Sequence, residues 1–106
     1  MVIIDKAAWQ IDGGVPEELV VKHFQAVFLW LDRHGMLSDE GQEELSDGID
    51  DCASLNEDLL TSEALVFLEQ CYDEYLKEVD GEKYGNDCGA AELEKVYLAY
   101  LDRSKD

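Results

Sequence analysis

The chain has 106 residues, 46% of them hydrophobic and only one a proline, which is enough for one folded domain with its own core. Its formal net charge is −18, from 26 acidic and 8 basic side chains. This charge argues against nucleic acid or an anionic membrane as a direct partner and favours a basic one.

Residues 1–15 predict an extended arm that precedes the helices. Residues 2–4 form a short β-like run, and a single strand of three residues cannot form a sheet. We therefore expect this arm to lay Ile3, Trp9 and Ile11 onto the rest of the domain.

The first helix is predicted over residues 17–34. Pro16 suits the start of a helix, and Gly35 can end one. The apolar side chains form an arc of about 220°, which predicts a helix at the centre of the fold. His23 and His34 lie on this arc eleven residues apart. That spacing is too long for one metal ion, so we expect both to have core or rim roles.

Three more amphipathic segments follow, the first two behind a hydroxyl residue that can act as an N-cap. They predict helices over residues 39–52 behind Ser38, 62–79 behind Thr61, and about 90–102. The expected fold is therefore all-α, a small bundle of four main helices with an N-terminal extended arm, in a single domain over residues 1–106.

The negative charge is concentrated in the middle of the chain. Residues 38–82 contain sixteen acidic side chains and one basic side chain, whereas both flanking segments are nearly neutral. On a helix over residues 39–52, seven acids would share a face about 140° wide. Their like charges at four-residue spacing would cost roughly 1–2 kcal/mol of helix stability.

Such a face can be a solvated surface that only keeps the protein soluble. Solubility does not require the acids to be gathered on one helix, and fields of a single sign chiefly steer charged partners. We therefore interpret the face as a binding surface for a cationic partner. The candidate partner-binding residues are Glu40, Glu43, Glu44, Asp47, Asp50 and Asp51 on the second helix, with Glu57, Asp58 and Phe67 as outlying members.

Apolar anchors supply affinity beside such charges, and the third helix offers two candidates. Val66 and Phe67 lie off its inner apolar stripe. Either a neighbouring segment such as the arm covers them, or they are exposed anchors.

No motif of a nucleotide-binding, hydrolase or zinc-peptidase site occurs. A calcium loop that starts at Asp80 or at Asp47 would place Ala91 or Asp58 where a bidentate Glu is needed. We therefore expect no enzyme, no cofactor and no dedicated metal site.

Three cysteines without CxxC spacing, and no preceding secretory signal, predict free buried thiols in a reducing cytoplasm: Cys52, Cys71 and Cys88. The longest apolar stretch, residues 19–31, is too short to span a membrane. A cytoplasmic location is therefore expected.

In its size, acidity and helical build, the chain resembles bacterial toxin-immunity proteins, including those that neutralise nuclease colicins by blocking a positively charged surface. The resemblance implies an inhibitor that covers a basic surface of a toxin or nuclease. A second hypothesis is DNA mimicry, in which carboxylates stand in for phosphates and inhibit a restriction or CRISPR nuclease. A third is a non-inhibitory adaptor or subunit whose acidic face is only solvated.

Overall fold

A computed structural model describes residues 2–79, 84–86 and 90–104, with residue 104 described by its backbone alone. Helices predominate in the described residues, as expected, but a small sheet accompanies them. In chain order the elements are β1 (Ile3–Lys6), α1 (Ala7–Asp12), α2 (Glu17–Arg33), α3 (Asp39–Asp47), β2 (Ser54–Asn56), a 3-10 turn (Glu57–Leu59), α4 (Ser62–Glu78) and α5 (Ala91–Ser104).

The predicted extended arm is wrong, because residues 1–15 contain a paired strand and a short helix. β1 pairs antiparallel with β2, and Ile4 is an extra residue that bulges between the pairs Ile3–Asn56 and Asp5–Leu55. Sequence reasoning missed β2 because three residues among acidic and polar neighbours carry no strand pattern. Trp9 is not laid onto the domain either, since it lies on α1 with 53% of its surface exposed.

The prediction of a central helix at residues 17–34 is confirmed within one residue. α2 lies beside α1 and α3, and its aromatic side chains reach α4 and α5. Its largest buried side chains are wholly shielded from solvent, as a wide apolar arc requires: Trp30, Phe24, Phe28, Leu31, Val20 and Val27. None of the helices in the described ranges is long and apolar enough to cross a bilayer.

The predicted caps of the next two helices are confirmed. The Ser38 hydroxyl accepts a hydrogen bond from the Gly41 amide at 3.1 Å, and the Thr61 hydroxyl accepts one from the Ala64 amide at 3.2 Å. Leu37, which precedes the first cap, forms an isolated antiparallel bridge with Leu60, which precedes the second. The two helix starts therefore lie side by side.

α3 is shorter than predicted, and it ends at Asp47. Gly48 follows with φ at 105°, a backbone conformation that residues with a side chain rarely adopt. The chain then turns, so that Ile49 and Ala53 enter the core while Asp50 and Asp51 stay exposed. The placement of Asp50 and Asp51 on the helical face is therefore wrong.

α5 covers the outer side of α4. The Phe67 ring lies 5.0 Å from the rings of both Tyr97 and Tyr100 and 5.9 Å from the Trp30 ring, measured between centroids. Phe67 has no exposed surface, whereas its neighbour Val66 is 48% exposed. Of the two candidate anchors, only Val66 is therefore exposed. The segment that covers Phe67 is α5 and not the N-terminal region.

Candidate partner-binding surface

Four of the predicted carboxylates converge on one shallow depression of the surface. Glu40, Glu43, Glu44 and Asp47 are all exposed, and with Leu59 they line a groove of about 280 Å³. We call these five residues the α3 groove. Four of its five lining residues are acidic and one, Leu59, is apolar. The groove can therefore hold the charged end of a long cationic side chain, whose aliphatic stem can contact Leu59.

A single glycine brings α3 close to this floor. A Cβ on Gly41 would overlap with the carbonyl oxygen of Leu59 in the 3-10 turn. Gly41 is also the only buried residue of α3, all of which the structure describes. The helix therefore contacts the domain along a narrow strip and presents its remaining surface, including the four carboxylates, to solvent.

These carboxylates have no counter-ion among the residues that the structure describes. No lysine or arginine occurs between Arg33 and Lys77 in the sequence. Ion pairs between described residues lie around α5, namely His34–Glu94, Lys95–Glu92 and Arg103–Glu74. Within the described ranges, none of the α3 groove carboxylates takes part in an ion pair. Their charge is therefore available to an outside partner.

The direction of α3 makes the charge costly at one end. Asp39 and Glu40 lie in the first turn, where negative charge is favourable because the helix dipole is positive there. Glu44 and Asp47 lie near the other end, where the dipole is negative, and the last turn contains no basic residue. The acids at the end of α3 thus destabilise the helix that carries them.

Asp50 and Asp51 form a separate acidic turn with Cys52. The Asp50 carboxylate accepts a hydrogen bond from the Cys52 amide at 2.9 Å, and the Asp51 carboxylate lies 3.7 Å from the thiol sulfur. Both carboxylates raise the pKa of the Cys52 thiol, Asp51 more than Asp50, so the thiol stays protonated and weakly nucleophilic. Their three ligand atoms lie within 4.8 Å of one another, but all three residues are exposed, and they offer a cation only a loose site.

The prediction of buried free thiols is confirmed for Cys71 and wrong for Cys52, which is exposed. Both are free. Cys88 lies outside the described residues.

Glu57 and Asp58 lie in the 3-10 turn that packs against α3. The Glu57 carboxylate accepts a hydrogen bond from the Val2 amide at 2.9 Å, which fastens the start of the chain to the end of β2. The carbonyl oxygen of Asp58 accepts a bond from the Ser38 hydroxyl at 2.7 Å, so Asp58 lies beside the beginning of α3. Asp58 therefore borders the α3 groove, whereas Glu57 has a structural contact.

Phe67 cannot belong to this surface. It projects from α4 and is fully buried against α2 and α5, so its prediction as a partner-binding residue is wrong. A helical wheel places Phe67 off the inner apolar stripe of α4, but a wheel of one helix cannot show that α5 covers that side.

A buried polar chain, which the sequence pattern did not predict, joins three elements of the core. The Tyr72 hydroxyl of α4 donates to the Asp5 carboxylate of β1 at 2.7 Å, and Nε2 of His23 on α2 lies 2.9 Å from the same hydroxyl. Because the Tyr72 proton is used toward Asp5, Nε2 of His23 is the donor in the second bond. Gln10 also donates to Asp5 at 2.8 Å.

Burial decides the charge states in this chain of side chains. It lowers the pKa of His23 to about 4 and raises the pKa of Asp5, whose hydrogen bonds from Tyr72 and Gln10 oppose that rise. Asp5, His23 and Tyr72 are each at most 4% exposed. The polar chain is therefore closed to substrates and ties β1, α2 and α4 together.

Comparison with known proteins gives no relative: no family model, curated protein or solved structure matches this chain.

Proposed function

We propose that the protein is a cytoplasmic inhibitor of the toxin-immunity kind, which covers a basic surface of a protein partner such as a toxin or nuclease. The observation that carries the proposal is the α3 groove, where four exposed carboxylates line one depression with Leu59 and form no ion pair among the described residues. Asp58 at its edge and the turn of Asp50 and Asp51 extend the negative field. Glu57 and Phe67 are not part of the proposed interface.

Two physical considerations support a binding role over simple solvation. Solubility is served by any distribution of charge, whereas a field of one sign steers an oppositely charged partner and raises its association rate. In addition, Glu44 and Asp47 lie at the helix end where negative charge is unfavourable. Acidic side chains that lower the stability of their own helix do not serve folding, so a role in binding explains them better.

The test is a paired affinity capture from native lysate at low and high salt. One bait is the wild-type chain, and the second reverses three acids of the proposed interface: Glu43→Lys, Asp47→Lys and Asp51→Lys. The matched control reverses three exposed acids elsewhere, Glu69→Lys, Glu78→Lys and Asp102→Lys, which changes the net charge equally. We expect a partner that wild type and control retain at low salt and that the interface variant loses.

The identity of the retained protein separates the hypotheses. Inhibition of one toxin or nuclease by the purified chain supports the immunity-like function. Displacement of a retained nuclease by unrelated duplex DNA sequences supports DNA mimicry instead. A retained partner whose activity is unaffected supports the adaptor, and equal retention by all three baits at low salt contradicts a role for the acidic surface.

A further inference from the structure

The outer face of the two-stranded sheet is an open hollow of about 370 Å³. The opposite face is closed, because Asp5 and Leu55 turn into the core and are at most 4% exposed. On the outer face, four half-buried strand residues and three small neighbours line the cavity: Ile3, Lys6, Ser54, Asn56, Ala8, Cys52 and Ala53. We call these seven residues the sheet hollow.

Exposed apolar side chains flank the sheet hollow. Val2, which precedes β1, is 39% exposed, and Trp9, which follows Ala8, is 53% exposed. The ammonium of Lys6 lies 5.8 Å from the centre of the Trp9 ring. The other large hydrophobic side chains that are exposed in the described residues lie one each on α2, α4 and α5: Leu29, Val66 and Leu98. Two of these five exposed apolar side chains, Val2 and Trp9, thus lie next to residues that line the sheet hollow.

The charges around the sheet hollow indicate what it can bind. At the Cys52 wall, the carboxylates of Asp50 and Asp51 lie within 4.8 Å of the thiol sulfur. Lys6 is the one basic residue among the described residues of the lining. A cation at the Cys52 rim is therefore attracted, whereas a cation inside the cavity is repelled by Lys6. The other polar side chains of the lining, Ser54 and Asn56, are hydrogen-bonded to each other at 3.0 Å, and the remaining wall of Ile3, Ala8 and Ala53 is apolar. The arrangement fits an apolar side chain inside and basic groups beside it.

We infer that the sheet hollow and Trp9 form the apolar part of the partner interface, and that they bind an aliphatic side chain flanked by arginine or lysine on the basic partner. The inference rests on the proposed function, since the same turn of Asp50 and Asp51 contributes to the acidic surface. It also replaces Phe67 as the apolar anchor, because aromatic and aliphatic contacts supply affinity where charge supplies mainly association rate.

Two synthetic peptides of equal charge test this inference. The leucine peptide, RRRRLRRRR, offers an aliphatic side chain between cations, and the glycine peptide, RRRRGRRRR, offers the cations alone. Their affinities for the purified chain are measured by fluorescence anisotropy of a terminal label at moderate salt. We expect the leucine peptide to bind about tenfold more tightly, which corresponds to partial burial of one leucine side chain.

Filling the cavity should abolish this preference. Cys52→Trp places a large ring in the sheet hollow, and Cys52→Ser is the matched control that leaves it open. Trp9→Ala should also reduce the preference, whereas Leu98→Ala on α5, which removes a similarly exposed apolar side chain, should not. Circular dichroism confirms that each variant is folded.

The outcomes distinguish the two proposals. The inference about the sheet hollow is refuted if both peptides bind the wild-type chain with equal affinity. It is also refuted if folded Cys52→Trp and Trp9→Ala still prefer the leucine peptide to the same extent. Neither result contradicts the proposed function. If the interface reversals of Glu43, Asp47 and Asp51 leave both affinities unchanged, or if neither peptide binds at low salt, the proposed function fails as well.

Discussion

Asp47→Asn should stabilise the protein, because the negative charge of Asp47 lowers the stability of α3. Asp47 is the last residue of α3, where the negative end of the helix dipole makes a carboxylate unfavourable by about 0.3–1 kcal/mol. It also repels Glu43, four residues earlier, and Glu44, three residues earlier, at about 0.2–0.5 kcal/mol each. Screening by water and salt reduces these terms, so we expect about 1 kcal/mol of added stability.

The matched control is Asp39→Asn at the other end of α3. Asp39 lies in the first turn, where its charge is favourable to the helix dipole, and it repels Glu43. The two effects nearly cancel or slightly favour the wild type, so this substitution should leave stability unchanged or reduce it by up to about 0.5 kcal/mol.

Urea unfolding followed by circular dichroism measures both variants at about 20 and about 500 mM NaCl, between which the Debye length falls roughly fivefold. The gain from Asp47→Asn should shrink at the higher salt concentration. The same variant should weaken binding of the glycine peptide. Destabilisation by Asp47→Asn, or a gain independent of salt, would refute the view that these acids are retained at a cost to folding.

Three further predictions concern the fold that presents the surface. Tyr72→Phe leaves Asp5 and His23 without their shared hydroxyl, and it should cost about 2–4 kcal/mol in urea unfolding; a loss below about 0.5 kcal/mol would contradict the bonding described. Gly48→Ala forces a side chain into a positive-φ conformation and should cost about 1–3 kcal/mol, against no comparable loss for Ser46→Ala. As the pH is lowered from 6.5 to about 4, His23 becomes protonated in the unfolded chain but stays neutral in the folded chain. The free energy of unfolding of the wild type should therefore decrease more steeply over this range than that of His23→Gln. Equal slopes would contradict this assignment. Asp5, whose raised pKa acts with the opposite sign, contributes to both proteins and largely cancels in the difference.

Local sequence features were sufficient to predict the main helices and the N-caps of two of them. Ser38 and Thr61 satisfy amides of the turn that follows them, and this interaction needs no distant residue. The wide apolar arc of α2 required burial on several sides, whatever its neighbours were. The acidic character of α3 could be predicted equally directly for residues 39–47, because the helical period fixes which of these side chains share a face.

The apolar pattern of this segment was not sufficient to predict where α3 ends. Ile49 and Cys52 continue the helical spacing, which favoured a helix to residue 52. In the structure the positive φ of Gly48 ends the helix, and Ile49 reaches the core from a turn. Two of the predicted site residues, Asp50 and Asp51, consequently belong to the rim of the sheet hollow and not to the helix face.

The remaining features depend on contacts between distant parts of the chain, which the periodicity of a single segment does not encode. β1 is a strand because Ser54–Asn56 pairs with it, and Phe67 is buried because α5 covers α4. Asp5 and Tyr72 meet across 67 positions of sequence, and their hydrogen bond exists only after the core has closed. Local sequence pattern thus located the main helices and the charge, whereas packing between distant segments selected the side chains that remain accessible to a partner.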